Sequence, residues 1–113
     1  MQFIALLRRD TERFKDTDFA PHLPEEAEQR RRLYVEGFAR QVWNRTDVPG
    51  SALLLEAADA TAARSGLDTL PLVKTKMMLI DALTALAPYP GFGPRARDRA
   101  HRRTVADGHR PVT

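Results

Sequence analysis

The alternation of apolar and polar positions predicts four strands along the chain. Residues 2–9, QFIALLRR, form an apolar run that fits a first strand. Residues 42–46 and 52–58 flank a turn at residues 47–50, and the Pro-Gly pair of that turn predicts a β-hairpin. Residues 77–86, MMLIDALTAL, predict a last strand, with a helix as the alternative because Met, Leu and Ala also suit a helix.

Two helices separate these strands. Pro24 opens the first helix, and Glu25 and Glu26 oppose the positive end of the helix dipole. The apolar spacing of this helix is amphipathic, with these residues on or near one face: Leu23, Ala27, Tyr34 and Phe38. A second, Ala-rich helix is predicted over residues 60–68, with Asp59 as its cap.

The remaining segments are connections. Residues 10–22 are charged and contain Pro and two Phe, so we expect a loop that packs back onto the body through Phe14 and Phe19. Residues 69–76, TLPLVKTK, are expected to join the second helix to the last strand.

The order of these elements predicts the fold class. Strand, helix, strand, strand, helix, strand is the ferredoxin-like βαββαβ pattern of the α+β class, with two helices on one face of a four-stranded antiparallel sheet. The other face of the sheet needs a cover, and a second copy of the same sheet is the simplest one. We therefore expect a dimeric α+β barrel, as a homodimer or a higher homo-oligomer.

Composition and charge define one domain and a basic tail. The 113 residues suit a single core. Residues 95–113 hold six Arg and two Asp, and we expect a flexible tail after a domain at residues 1–94. This tail has no aromatic residue for stacking on bases, so nucleic-acid binding is not favoured. The chain has no Cys, which fits a reducing cytoplasm, and its start is neither a signal peptide nor a membrane span.

The predicted hairpin carries polar and aromatic residues that suit a binding pocket. Trp43 and Arg45 share one face of the strand, and Asn44 lies on the other. An apolar body with a few directed polar groups is typical of a small-molecule site. The alternative is that Trp43 packs in the dimer seam while Arg45 reaches water.

Short motifs resemble the muconolactone isomerase family in their order and spacing over about the first 90 residues. They are MQF at the start, the carboxylate of Glu26 inside the first helix, EG at residues 36–37, RQVW at residues 40–43, and LPL at residues 70–72. The resemblance implies a small dimeric α+β barrel, often assembled further, that needs no cofactor and moves protons on an unsaturated lactone. It does not imply the particular substrate, because Asn44 precedes Arg45 where the family usually has Arg directly after its Trp.

Glu26 and His22 are the candidate catalytic residues. Partial burial raises the pKa of a carboxylate toward neutrality and makes it a useful base or proton shuttle. The alternative for Glu26 is an exposed first-turn residue that stabilises the helix dipole. His22 precedes the helix and is a candidate general acid or base, or else an ordinary loop residue.

Five residues are candidates for substrate binding. Arg40 and Trp43 match the family's Arg-x-x-Trp segment, and Arg45 shares a strand face with Trp43. Tyr34 is expected near the side of Glu26, either donating a hydrogen bond into the same cavity or packing in the core. Arg8 can bind a substrate carboxylate in a bidentate pair, or else lie solvated at its strand end.

We therefore expect a cofactor-free isomerase or a related proton-transfer enzyme that acts on a small unsaturated carbonyl or lactone compound. No metal site is predicted, because the three His, at positions 22, 101 and 109, include no His-x-x-x-His pair. One alternative is a cofactor-independent oxygenase or cyclase of aromatic or polyketide metabolism. Another is a non-catalytic protein that binds a small molecule.

Overall fold

A computed structural model of the protein describes residues 1–92. Its strands are β1 (Gln2–Arg9), β2 (Ala39–Asn44), β3 (Gly50–Glu56) and β4 (Met78–Leu86). Its α-helices are α1 (Asp16–Phe19), α2 (Leu23–Val35), α3 (Ala60–Leu67) and α4 (Pro71–Lys74), with 3-10 turns at Ala20–His22 and Pro90–Phe92. The predicted tail at residues 95–113, and the domain boundary at residue 94, lie outside the described residues.

The four strands form one antiparallel sheet in the order β2-β3-β1-β4. This α+β architecture is compatible with the predicted ferredoxin-like fold. The two predicted helices are present as α2 and α3, and the Asp59 side chain caps α3 by accepting a 2.8 Å hydrogen bond from the Ala62 amide. The predicted loop and the predicted connection each contain one further short helix, α1 and α4.

The β2–β3 hairpin begins and ends earlier than predicted. The two strands were expected at residues 42–46 and 52–58, and the observed strands start three and two residues sooner. Gly50 belongs to β3, where it pairs with Arg8, and a Cβ atom at this position would overlap the carbonyl oxygen of Leu7. The glycine therefore serves a close strand contact, and the turn lies between Arg45 and Gly50, closed by a 2.9 Å hydrogen bond from the Arg45 amide to the Gly50 carbonyl.

The core fills the space between the helices and one face of the sheet. Alternate residues of β1 and β3 point into it: Phe3, Ala5, Leu7, Leu53 and Leu55. Phe19 is fully buried and Phe14 packs edge-on against it, with ring centroids 6.1 Å apart. The prediction that these two Phe anchor the segment before α2 is confirmed, although Phe19 lies in α1.

The pairing of β1 with β4 shifts by one residue near its middle. Leu6 lies opposite Ala82, whereas Leu7 lies opposite Ile80. Asp81 is thus an extra residue without a partner on β1, which makes a β-bulge. A bulge of this kind changes the direction in which the extra side chain points.

The second face of the sheet, which we call the open face, is not covered by any helix within residues 1–92. It carries apolar side chains that are half-buried or exposed: Ile4, Leu6, Trp43, Leu54, Leu79 and Ala82. Trp43 retains 48% of its accessible surface. Across residues 1–92, no helix has both the length and the apolar composition that a membrane crossing requires.

Candidate functional site

A cavity of about 490 Å³ lies between α2, α4 and the end of the sheet formed by the β2–β3 turn. Its size is in the range of small-molecule sites. Leu23, Ala27, Leu72 and Met78 supply much of its apolar wall. Its polar lining consists of Arg9, Glu26, Arg30, Asn44, Arg45 and Ser51.

Glu26 is held at the cavity by two different elements. Its side chain is almost fully buried, with the residue 4% exposed. One carboxylate oxygen, Oε2, accepts a 2.8 Å hydrogen bond from Arg30 Nε, one turn along α2. The other, Oε1, accepts a 2.9 Å hydrogen bond from the backbone amide of Leu72 in α4. The carboxylate therefore joins α2 to α4 and occupies the wall of the cavity, where the sequence predicts it.

Arg30 continues this chain of contacts to the sheet. Its Nη1 donates a 2.7 Å hydrogen bond to the Ser51 hydroxyl of β3, and Nη2 lies 3.5 Å from the Met78 sulfur. The side chain is 16% exposed, so its charge is largely removed from water. Sequence reasoning missed this residue as part of the site. Its spacing of four residues from Glu26 is the signal that predicts such a pair on one helix face.

Arg9 contributes a second guanidinium at the end of β1. The group lies 4.8 Å from the centroid of the Phe19 ring, a cation–π contact that fixes its position beside the cavity. Among residues 1–92, no carboxylate or carbonyl accepts a hydrogen bond from it. Arg9 is therefore a half-buried cation that a bound anion can pair with, and sequence reasoning did not single it out.

Arg45 lines the cavity and also belongs to an ion cluster, which we define as Arg8, Arg45, Asp47 and Asp81. Its Nε and Nη2 donate to the two carboxylate oxygens of Asp47 at 3.0 and 2.6 Å, and its Nη1 donates to Asp81 at 2.8 Å. Arg8 Nε donates to the other oxygen of Asp81 at 2.7 Å. The cluster joins β1, the hairpin turn and β4.

The cluster shifts the titration of its members. Hydrogen bonding to Arg45 lowers the pKa of Asp47 to about 2. Hydrogen bonds from Arg45, and then from Arg8, also lower the pKa of Asp81. The hydrogen bonds to Asp47 and Asp81 raise the pKa of Arg45. All three groups are consequently charged at neutral pH.

The charge around the cavity is positive overall. Three guanidinium groups, those of Arg9, Arg30 and Arg45, line it against the single carboxylate of Glu26. Asp47 and Asp81 offset the charge of Arg45, and Glu26 offsets that of Arg30. Within residues 1–92 the charge of Arg9 has no carboxylate partner, so the site suits an anionic ligand or a reaction in which negative charge develops.

Tyr34 does not lie beside Glu26, and the prediction that both face one cavity is wrong. Tyr34 is 61% exposed and is not part of the cavity wall. Eight residues on a helix of 3.6 residues per turn leave the two side chains about 80° apart around its axis. Leu33, nearly in line with Glu26, is the residue that packs into the core.

The hairpin residues divide between the two faces of the sheet. Trp43 pairs with Ala52 on the open face and does not line the cavity, whereas Arg45, which follows the end of β2, does line it. Asn44, opposite Ser51, lines the cavity as well.

The three other predicted site residues lie outside the cavity wall. Arg8 lies in the ion cluster, paired with Asp81. Arg40 is exposed where the register of β2 shifts between Ala39 and Gln41. His22 is half-buried directly before α2, next to Leu23, which does line the cavity.

No cluster of three or more His, Asp or Glu side chains is arranged to hold a metal ion in the described part of the chain. No protein-family model matches the chain, and no curated protein matches it.

Proposed function

We propose that the protein is a cofactor-free isomerase, or a related proton-transfer enzyme, that acts on a small unsaturated carbonyl or lactone compound. In this it resembles muconolactone isomerase. The observation that carries the proposal is the position of Glu26, a buried carboxylate in the wall of a cavity of small-molecule size.

Glu26 is proposed to act as the base. It takes a proton from a carbon next to the substrate carbonyl, and the electron pair of the broken C–H bond moves toward the carbonyl oxygen, giving an enolate. Glu26 then returns the proton to a different carbon, the carbonyl re-forms, and the double bond has moved. No redox partner is needed, because the proton and the electron pair are both conserved.

The developing oxyanion is assigned to the guanidinium groups of the cavity. Arg9 is the best placed, because it has no acceptor within residues 1–92, and Arg30 and Arg45 are the other two. Arg40 and Tyr34, which the sequence suggested as substrate-binding residues, are not part of the cavity wall. The same positive charge favours a substrate that carries an acidic group as well as the carbonyl.

The two alternative functions lack the features that would favour them. An oxygenase or cyclase of aromatic or polyketide metabolism is favoured by a larger pocket around Trp43, which does not line this cavity. A non-catalytic binding protein is favoured by a cavity without ionisable groups, and four ionisable side chains line this one.

We also propose that the protein forms a homodimer through the open face, because apolar side chains such as Ile4, Leu6 and Leu54 need a cover. A second copy supplies an apolar surface of matching twist and composition. Higher assemblies are compatible with this arrangement.

The reaction is tested by hydrogen exchange. Five-membered unsaturated lactones, with and without a carboxylate side chain, are incubated with the protein in D₂O, and deuterium incorporation and double-bond migration are followed by NMR. We expect Glu26→Gln to lower the turnover rate by about 10²–10⁴-fold, the usual contribution of a general base.

Glu28→Gln is the matched control. Glu28 lies on the exposed side of the same helix and faces Arg32 four residues along, at 3.9 Å. We expect it to leave turnover unchanged. Turnover retained in Glu26→Gln removes Glu26 as the base, and no exchange with any lactone overturns the proposed reaction.

A further inference from the structure

Arg45 lines the cavity, although most of the N–H groups of its guanidinium already donate hydrogen bonds within the protein. A guanidinium has five N–H donors. Two are taken by Asp47, one by Asp81, and one makes a long 3.5 Å contact with the Leu7 carbonyl. One N–H, on Nη2, has no acceptor among residues 1–92. Arg45 lines the cavity, and its side chain is 14% exposed.

The contact with Asp81 fixes Arg45 relative to the sheet. Asp47 is two residues from Arg45 in the same turn and moves with it. Asp81 lies on β4, which β1 separates from the β2–β3 hairpin. Asp81 in turn is held by Arg8 at 2.7 Å. The carboxylate of Asp81 is therefore the contact that ties the hairpin turn to the far side of the sheet.

The β-bulge is the independent observation that Asp81 has a special position. Asp81 is the extra residue between Ile80 and Ala82, and it takes no part in the alternation that fills the core. Bulges recur beside functional sites, where they aim a side chain in a direction that regular pairing does not allow. Here the aimed carboxylate meets two arginines, one of which lines the cavity.

We propose that Asp81 is a positioning residue for the cavity. It holds the Arg45 guanidinium so that the uncommitted N–H of Nη2 stabilises the oxyanion that forms on the substrate. This rests on the proposed proton-transfer function, since that reaction supplies the oxyanion. Asp81 itself does not contact the substrate.

A kinetic cycle separates positioning from simple stabilisation of the fold. With a lactone that the protein turns over, we expect Asp81→Asn to lower kcat by about 10–100-fold and leave KM nearly unchanged, because the lost contact matters only in the transition state. Arg45→Gln should cause a similar loss. In the Arg45→Gln background, Asp81→Asn should cost less than about 2-fold more, because the two residues act as one unit.

The control is Asp68→Asn, which removes a surface ion pair with Arg64, at 3.3 Å on α3, and should leave kcat unchanged. Asp81→Glu keeps the charge and should recover part of the lost kcat. Two results overturn the proposal: losses that simply multiply in the double variant, or an Asp81→Asn variant with wild-type kcat.

A binding measurement keeps this inference separable from the proposed function. Acetate, a small carboxylate, is titrated into ¹⁵N-labelled protein, and the Nε–H signal of Arg45 is followed by NMR. We expect a saturable shift in the wild type that is lost in Asp81→Asn. A saturable shift without turnover of any lactone contradicts the proposed reaction alone. Absence of the shift in the wild type overturns the assignment of Arg45 and, with it, that of Asp81.

Discussion

At the scale of single residues, the position of Glu26 changes what one substitution does. A carboxylate that acts only as a base could be replaced by Gln with little change in stability. In the structure the Glu26 carboxylate neutralises Arg30 and accepts the Leu72 amide. Removing its charge leaves a guanidinium that is 16% exposed without a counter-ion.

We therefore predict that Glu26→Gln lowers the free energy of unfolding by about 3 kcal/mol, the cost of leaving one partner of a largely buried ion pair uncompensated. Urea denaturation followed by circular dichroism measures the change. Glu28→Gln, at an exposed pair, should change it by less than about 1 kcal/mol. Equal effects of the two substitutions would mean that the Glu26–Arg30 pair is solvated.

The second residue-scale prediction concerns pH. The pKa of Asp47 is lowered to about 2 by its hydrogen bonds to Arg45, whereas an Asp in an unfolded chain titrates near about 3.9. Because the folded state holds the lower pKa, this contact stabilises the fold above about pH 4, and the contribution is lost as the pH falls from about 4 to about 2.

A ¹³C NMR titration of the Asp47 carboxyl carbon should show a midpoint near 2. Arg45→Gln should move this midpoint back up toward the ordinary range, because the largest cause of the shift is gone. A midpoint that does not respond to Arg45→Gln would contradict the contact between them.

Part of the site was predictable at this scale and part was not. Glu26 could be found because it matches the first-helix carboxylate of the family that the sequence resembles, and Arg30 could have been found from its spacing to Glu26. Arg9 could not, because only the fold brings the end of β1 to Phe19 and the cavity. The prediction for Tyr34 was wrong because the eight residues between Glu26 and Tyr34 do not make a whole number of helical turns.

At the scale of elements, the β-bulge adds a helix-like spacing to a last strand whose Met, Leu and Ala content also suits a helix. Asp81 separates Ile80 from Ala82, so Ile80 and Leu83 are three residues apart and yet both pack on the core. A spacing of three is typical of a helix face. Sequence periodicity cannot distinguish a bulged strand from a helix in such a short segment, because the pairing with β1 decides it.

The predicted boundaries of the hairpin strands were wrong because they too depend on pairing with β1. Pro49 and Gly50 have the local chemistry of a turn, and turn preferences are all that a sequence window contains. Gly50 is instead required by the carbonyl of Leu7, on a strand more than forty residues earlier in the chain. Contacts that are distant in sequence set this boundary.

We predict that Gly50→Ala destabilises the protein by more than about 3 kcal/mol, since the new methyl group meets backbone atoms that cannot move aside without breaking the pairing of β1 with β3. Gly37→Ala is the comparison. Gly37 has a φ of +86° and open space around it, so its cost is that of a left-handed conformation, about 1–2 kcal/mol. Thermal unfolding of both variants checks that Gly50→Ala is the more destabilising substitution. Equal destabilisation would contradict the close contact at Gly50.

At the scale of the whole molecule, the order of elements was enough to predict the four-stranded antiparallel sheet. The two short helices were not predicted, because four residues carry too little periodicity to be recognised. The division of the hairpin residues between cavity and open face also required the sheet register.

The whole-molecule prediction is a particle heavier than one 12.7 kDa chain in light scattering at micromolar concentration. Leu54→Glu, in the centre of the open face, should yield monomers that keep the helical circular dichroism signal, because the charge opposes burial of that face but leaves the core intact. Thr61→Glu, at an exposed position of α3, is the control and should not change the mass. A wild-type protein that scatters as a single chain would contradict the proposed dimer.

The extra residue of β4 also bears on how a site of this kind is acquired. The strand keeps its alternation on both sides of Asp81, so Ile80 and Ala82 would pair with Leu7 and Leu6 in unbroken register if one codon were deleted between them. Gain of that single codon adds a carboxylate to a finished scaffold without moving a core side chain. A chain without this residue would keep the same core pairing and would lack the carboxylate that joins Arg8 to Arg45.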